Sequence, residues 1–129
     1  MSYRKFYTEL GKLLYAVADA DGVIRPQEVA ALRNVVRKRF IPLHAGADSY
    51  GQDHAYYSEF EFEALQEHNA DPELAFSSFI SYAKGHPKEF TGEMKKLCLL
   101  AAEEVGEAFS GKNIYEEEMI RRLKEELEA

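Results

Sequence analysis

Residues 18–32 have the sequence ADADGVIRPQEVAAL, in which carboxylates surround a glycine turn between two apolar segments. In the preceding segment, apolar residues recur at i, i+4, i+7, i+8 and i+11 from Phe6, the spacing of one helix face. Asp21-Gly22 is a turn signal. Pro26 suits the first position of the next helix, where a missing N–H costs nothing. The stretch therefore predicts two helices joined by a tight turn.

Helical periodicity continues along most of the chain. The second helix is expected to run from Pro26 through Phe40 and to end at Pro42. Further N-caps are expected at Asp71, which precedes a proline, and at Thr91. Apolar stripes follow both caps, and one more lies near the end of the chain. These patterns predict an all-α fold, a compact bundle of about six or seven helices.

The segment 43–58 mixes Gly, Asp, Ser, His and Tyr without a firm period, and it predicts a long loop that contains at most a helical turn. Such a loop in a compact domain is either functional or mobile. Residues 59–65, EFEFEAL, alternate as a strand would. Helices flank them and no partner strand is evident, so a short helix continuing through residue 68 is the preferred prediction.

The length of 129 residues and a hydrophobic content of 46% fit a single domain, residues 1–129, with one core. Two halves, residues 1–42 and 72–129, are expected to share a helix–turn–helix plan and to be joined by residues 43–71. The likeness rests on a glycine followed six residues later by a glutamate in each half. Chance similarity between two such units is the alternative explanation.

Charge and composition restrict the partners and the compartment. The net charge is −7, and no basic patch interleaved with aromatic residues is present, so nucleic acid is not expected as a partner. No apolar run approaches the roughly 18 residues of a membrane span, and the first ten residues lack the apolar core of a secretory signal. Cys98 is the one cysteine. A cytoplasmic protein without a membrane partner is predicted.

The glycine turn partly fits the calcium-loop template D-x-[DN]-x-[DN]-G-x₅-E. With Gly22 at position six, Asp21, Asp19 and Glu28 occupy positions five, three and twelve, but Val17 occupies position one, where the template needs an oxygen ligand. A complete EF-hand is therefore not expected. A purely structural alternative is that Asp21 forms an Asx turn and Glu28 stabilises the start of the second helix.

The stretch LLYAVADADGVIRPQEVAALRNVV, residues 13–36, resembles the signature A-x-A-D-G-x-I-x-x-x-E of the TerB-like domain family of tellurite-resistance proteins, which also occurs in a membrane-anchored J-domain co-chaperone. The resemblance implies a duplicated helical fold and an acidic surface that binds a divalent cation, calcium or zinc. It implicates Asp21 and Glu28 first and then Asp19. In the second half, Ser-Gly stands where the family has Asp-Gly, and the glutamates that follow are Glu117 and Glu118.

The resemblance implies a non-enzymatic cytosolic module that binds a divalent cation or a protein partner in a stress or tellurite-resistance role. One alternative is a small-ligand or enzymatic site between the two halves, near the tyrosines and histidines of residues 43–62. Another is a protein-interaction scaffold in which the turn supplies only helix caps. No catalytic residues are predicted, because the four histidines are scattered, P-loop and G-x-S-x-G motifs are absent, and Cys98 lies in an apolar run.

Overall fold

A computed structural model describes residues 3–44, 54–108 and 113–128 of the chain. These residues form six α-helices and no strand: α1 (Tyr3–Ala18), α2 (Pro26–Val35), α3 (Tyr57–Glu67), α4 (Pro72–Gly85), α5 (Gly92–Glu107) and α6 (Ile114–Glu128). The all-α prediction is confirmed. Among the described helices, none has the length and apolar character needed to cross a membrane.

Helix α1 is the centre of the bundle. Ten of its 16 residues are buried, including the predicted apolar stripe from Phe6 to Val17. It packs against α3, α4, α5 and α6, while α2 packs against α5. Tyr7 and Tyr15 are buried together with the aliphatic residues, so the core surrounds much more of α1 than one stripe. Burial of this extent explains why the first helix is apolar beyond a simple amphipathic pattern.

The contact between α1 and α3 is close because α1 has a glycine at the crossing. A Cβ atom on Gly11 would lie 2.6 Å from the carbonyl oxygen of Ser58. The buried Ser58 hydroxyl donates a hydrogen bond to the carbonyl of Tyr7 at 2.8 Å. These two features fix α3 against the first helix.

The end of α2 differs from the prediction. The α-helix gives way to a π-helical turn, Val36–Phe40, closed by the Ile41 N–H donating to the Val36 carbonyl. A 3₁₀ turn, Ile41–His44, follows and contains Pro42. The helical run expected through Phe40 is present, with its last five residues in the π form, and Pro42 lies in the 3₁₀ turn that follows, where its missing N–H is tolerated.

The segment between α2 and α4 is more helical than expected. Residues 54–55 are already helical, and α3 begins at Tyr57, so the loop predicted over residues 43–58 is shorter at both ends. Its central part, residues 45–53, lies outside the described residues. The preferred helix over residues 59–65 is confirmed.

Two predicted N-caps are confirmed by their hydrogen bonds. The Asp71 carboxylate accepts the backbone N–H of Glu73, and the Thr91 hydroxyl accepts that of Met94. Each satisfies a donor at a helix start that has no partner within the helix. The second also fixes the start of α5, against which α2 and α6 both pack.

Candidate functional site

The N-termini of α2 and α6 carry matching glutamates. Glu28, in the first turn of α2, accepts the backbone N–H of Arg25 at 2.8 Å through Oε1. Glu116, in the first turn of α6, accepts the backbone N–H of Asn113 at 3.2 Å, and Asn113 Oδ1 accepts the Glu116 N–H at 2.9 Å. The second pair is a reciprocal capping box.

The two glutamates meet in the protein interior. Glu28 and Glu116 are 1% and 2% exposed. Burial, together with a hydrogen bond to the Glu116 carboxyl, raises the pKa of Glu28 to about 8. When both groups are ionised, Glu116 Oε2 is buried without a hydrogen-bond donor. A shared proton or a cation between the carboxyl groups would satisfy this oxygen.

Asp21 joins the cluster from the glycine turn. Its carboxylate accepts the Val23 N–H at 3.0 Å, which forms the Asx turn, and Arg25 Nη2 at 2.9 Å. Asn113 Nδ2 donates to Asp21 Oδ2 at 2.7 Å and so ties the turn to the start of α6. Arg25 Nη1 lies 3.8 Å from Glu28 Oε1. We define the carboxylate cluster as Asp21, Glu28 and Glu116, with Arg25 and Asn113 beside it.

Asp19 lies in a different environment. It is 8% exposed, and burial raises its pKa. The Tyr15 hydroxyl lies 3.4 Å from Asp19 Oδ2 and donates more closely, at 2.7 Å, to the carbonyl of Ala70. Asp19 therefore lies beside a tyrosine that bonds to the connection between α3 and α4, whereas Asp21 contacts the start of α6.

Glu117 and Glu118, the second-half ligands implied by the resemblance, are exposed on α6. Glu118 accepts Arg121 Nε at 3.0 Å, and this hydrogen bond lowers the pKa of Glu118. The glutamate that faces Glu28 is Glu116, which the sequence analysis missed. Two signals in the sequence identify it: it follows Asn113 at capping-box spacing, and it precedes Ile120 by four residues on the apolar stripe.

The cluster offers carboxylate oxygens and a side-chain amide, and hard cations prefer such oxygen donors. In the described parts of the chain, no three Asp, Glu, His or Cys side chains are already arranged to hold a metal ion. A cation bound here would therefore require Arg25 to move, since its guanidinium contacts Asp21. That side chain is 24% exposed, so it has a path to solvent.

Other reactive side chains have structural surroundings. Burial raises the pKa of the Cys98 thiol to about 12, which makes it a poor nucleophile. His54 stacks on Tyr57 at 5.5 Å between ring centroids. Tyr57 lines a groove of about 1000 Å³ between α1, α3 and α4. His44 has no described side chain, and Tyr50 lies outside the described residues.

Comparison with protein-family models, curated proteins and solved structures finds no match to this chain.

Proposed function

We propose that this chain is a non-enzymatic, TerB-like module that binds a divalent cation at the carboxylate cluster. In this proposal the chain comprises two pseudo-repeated helical halves, and the cluster forms where their equivalent helix starts, α2 and α6, meet. The TerB-like resemblance is what connects such a module with a stress or tellurite-resistance role. The observation that supports the site is Glu116 Oε2, a buried oxygen beside the Glu28 carboxyl that has no donor when both groups are ionised.

The chemistry of the donors favours calcium over zinc. The cluster presents oxygen ligands, whereas zinc sites in proteins are built mainly from cysteine sulfur and histidine nitrogen. Glu28, Glu116 and Asp21 together carry six carboxylate oxygens, the lower limit of the six to eight oxygen ligands that calcium takes. Bound calcium would replace the proton that a buried carboxyl pair otherwise retains.

Arg25 supplies the charge that a cation would replace. Its guanidinium makes a 2.9 Å ion pair with Asp21 and lies 3.8 Å from Glu28. Calcium entry would transfer these carboxylates from the guanidinium to the ion. The pair is mostly buried, with side chains 24% and 11% exposed, so calcium must replace the guanidinium charge beside Asp21 for binding to be favourable.

Calcium titration of the ¹⁵N-labelled protein tests the site. We expect amide shifts at residues 19–28 and 113–118 and a rise in Tm. Glu116→Gln should weaken binding by more than about tenfold, because one ligand oxygen is replaced by an amide nitrogen. The variant should still fold, since the glutamine oxygen can accept the Asn113 N–H and its amide can donate to Glu28.

Glu117→Gln is the matched control, because it makes the same charge change on an exposed neighbour. It should leave the calcium affinity nearly unchanged. A lack of response at about 10 mM calcium, which exceeds the weakest protein sites at about 1 mM, would rule out the calcium site. Equal losses in both variants would show non-specific attraction to an acidic surface. A scaffold that binds a protein partner without a cation would give no calcium response.

A further inference from the structure

The groove beside Tyr57 lies between α1, α3 and α4 and is separate from the carboxylate cluster. Helices α3 and α4 both pack against α1 but make little contact with each other, which leaves a groove of about 1000 Å³. The floor comes from α1, whose lining residues run from Arg4 to Lys12. These positions span about 12 Å of helix, or a little over two turns.

One wall of the groove carries an exposed apolar side chain, whereas α4 lines the other wall with Ser78, Ser81 and the buried Tyr82. Phe60 on α3 is 60% exposed and lines the groove. At the other end, a smaller apolar depression of about 210 Å³ shares Lys12 and Ser78 with the groove and is bordered by Leu74, which is 70% exposed. The two cavities are therefore neighbours that meet at Lys12 and Ser78.

The polar side chains of Glu9 and Lys12 on the floor and Ser78 on the α4 wall bond to one another. Ser78 Oγ donates to Glu9 Oε1 at 2.6 Å, and Lys12 Nζ lies 3.1 Å from Ser78 Oγ. A serine next to a lysine resembles a nucleophile and its base. However, Lys12 Nζ donates to Ser78 Oγ, and Ser78 Oγ in turn donates to Glu9 Oε1, so the serine proton points at the glutamate and not at the lysine. Lys12 also forms an ion pair with Glu9 at 3.3 Å.

Charge distinguishes the end of the groove formed by the start of α1. Arg4 and Lys5 line this end, with the Arg4 guanidinium 5.1 Å from the centre of the Tyr57 ring. Lys12 is balanced by Glu9. This basic end belongs to a protein with a net charge of −7, so it differs in sign from the molecule as a whole. Glu9 and Glu61 also line the groove, so the negative charge of a ligand would be attracted at the end formed by Arg4 and Lys5.

We propose that the groove binds an acidic amphipathic helix of a partner protein. An open groove between two helices, with the exposed Phe60 on one wall and Leu74 at the adjoining depression, suits a helix that docks through residues at i, i+3, i+4 and i+7. The apolar stripe of the partner would lie between Phe60 and Leu74, and its acidic residues would face Arg4 and Lys5. The length of the floor matches about two turns of such a helix.

The test uses two synthetic 16-residue peptides of leucine, alanine and one charged residue, with leucines at helical i, i+3, i+4 and i+7. One peptide carries glutamates and the other carries lysines at the same positions. With ¹⁵N-labelled protein, the glutamate peptide should shift amides that line the groove, in residues 4–12, 57–64 and 74–82. The lysine peptide should bind at least tenfold more weakly.

The double variant Arg4→Glu with Lys5→Glu should lose affinity for the glutamate peptide by at least tenfold. Lys96→Glu, a charge reversal of an exposed lysine on α5, is the control and should keep it. Equal binding of both peptides, shifts away from the groove, or no binding would each overturn the proposal. If the protein instead forms a concentration-dependent dimer whose interface covers Phe60, the groove binds a second copy of the chain. If decanoate binds and neither peptide does, the groove binds a small amphiphile. None of these outcomes depends on calcium.

Discussion

At the scale of single residues, Glu28 shows how a helix cap acquires a pH-dependent role. Its carboxyl is buried against that of Glu116, and its pKa is raised to about 8. In the unfolded chain the same group has the ordinary carboxyl pKa of about 4.3. The folded state therefore holds a proton that the unfolded state releases throughout this pH range. The shared proton is a structural alternative to a bound cation.

The raised pKa of Glu28 predicts a stability that falls with pH in calcium-free protein. Between about pH 4.3 and pH 8 the folded state binds more protons than the unfolded state, so the free energy of unfolding decreases as the pH rises. The contribution is fully present below pH 4.3 and is lost above pH 8. Urea unfolding at pH 5, 6, 7 and 8 measures this slope.

Glu28→Gln should reduce the slope, because the amide cannot titrate yet can still accept the Arg25 N–H and donate to Glu116. Glu117→Gln, at an exposed position, should keep the slope of the natural protein. The buried Asp19, whose pKa is also raised, adds a slope of the same sign in all three proteins. The difference between the two variants therefore isolates Glu28. Identical slopes would contradict proton sharing in the cluster.

At the scale of helices, the close approach of α1 and α3 depends on Gly11. Gly11→Ala places a methyl group 2.6 Å from the Ser58 carbonyl oxygen. Because this oxygen belongs to the backbone of α3, the clash is relieved only if one of the two helices moves. Such overpacking costs about 1–3 kcal/mol. The higher helix propensity of alanine offsets about 1 kcal/mol of this. We expect a net loss of stability, measured by urea unfolding.

Gly85→Ala is the matched control, since a Cβ atom at Gly85, the last residue of α4, meets nothing within 4 Å. It should leave stability unchanged or raise it slightly through helix propensity. A Gly11→Ala variant as stable as this control would show that α3 shifts without cost. The contact between α1 and α3 would then be looser than the structure indicates.

The parts of the helices that sequence predicts are those with local causes. The start of α2 at Pro26 and the caps Asp71 and Thr91 depend on neighbouring backbone groups, so their residue types are sufficient signals. The π turn after α2 has no such local signal. Glu116 was missed because its burial depends on a partner far away in the sequence, Glu28. Patterns within a single sequence do not show which distant residues meet.

At the scale of the whole molecule, the carboxylate cluster joins two distant parts of the chain. Asp21 and Asn113 are 92 positions apart and share a 2.7 Å hydrogen bond. The positive ends of two helix dipoles, those of α2 and α6, meet here, and the carboxylates of Glu28 and Glu116 offset their mutual repulsion. The cluster therefore links the starts of α2 and α6, and its bond to Asn113 offers a way to separate this structural role from cation binding.

Asn113→Asp separates the structural role from cation binding. Aspartate caps a helix as well as asparagine does, so α6 keeps its N-cap. The new carboxylate, however, faces Asp21 where the amide now donates, and two like charges at this distance repel.

Without calcium we expect a lower Tm for Asn113→Asp than for the natural protein. With calcium we expect a larger rise in Tm, because an added carboxylate increases the affinity of a calcium site. Asn113→Ser keeps a capping hydroxyl without the charge, so it should lower the Tm and show a calcium-induced rise no larger than that of the natural protein. Calorimetry of both variants with EDTA and with calcium measures these changes. An Asn113→Asp protein that is destabilised equally in both conditions would show that the cluster acts as a helix-capping device alone.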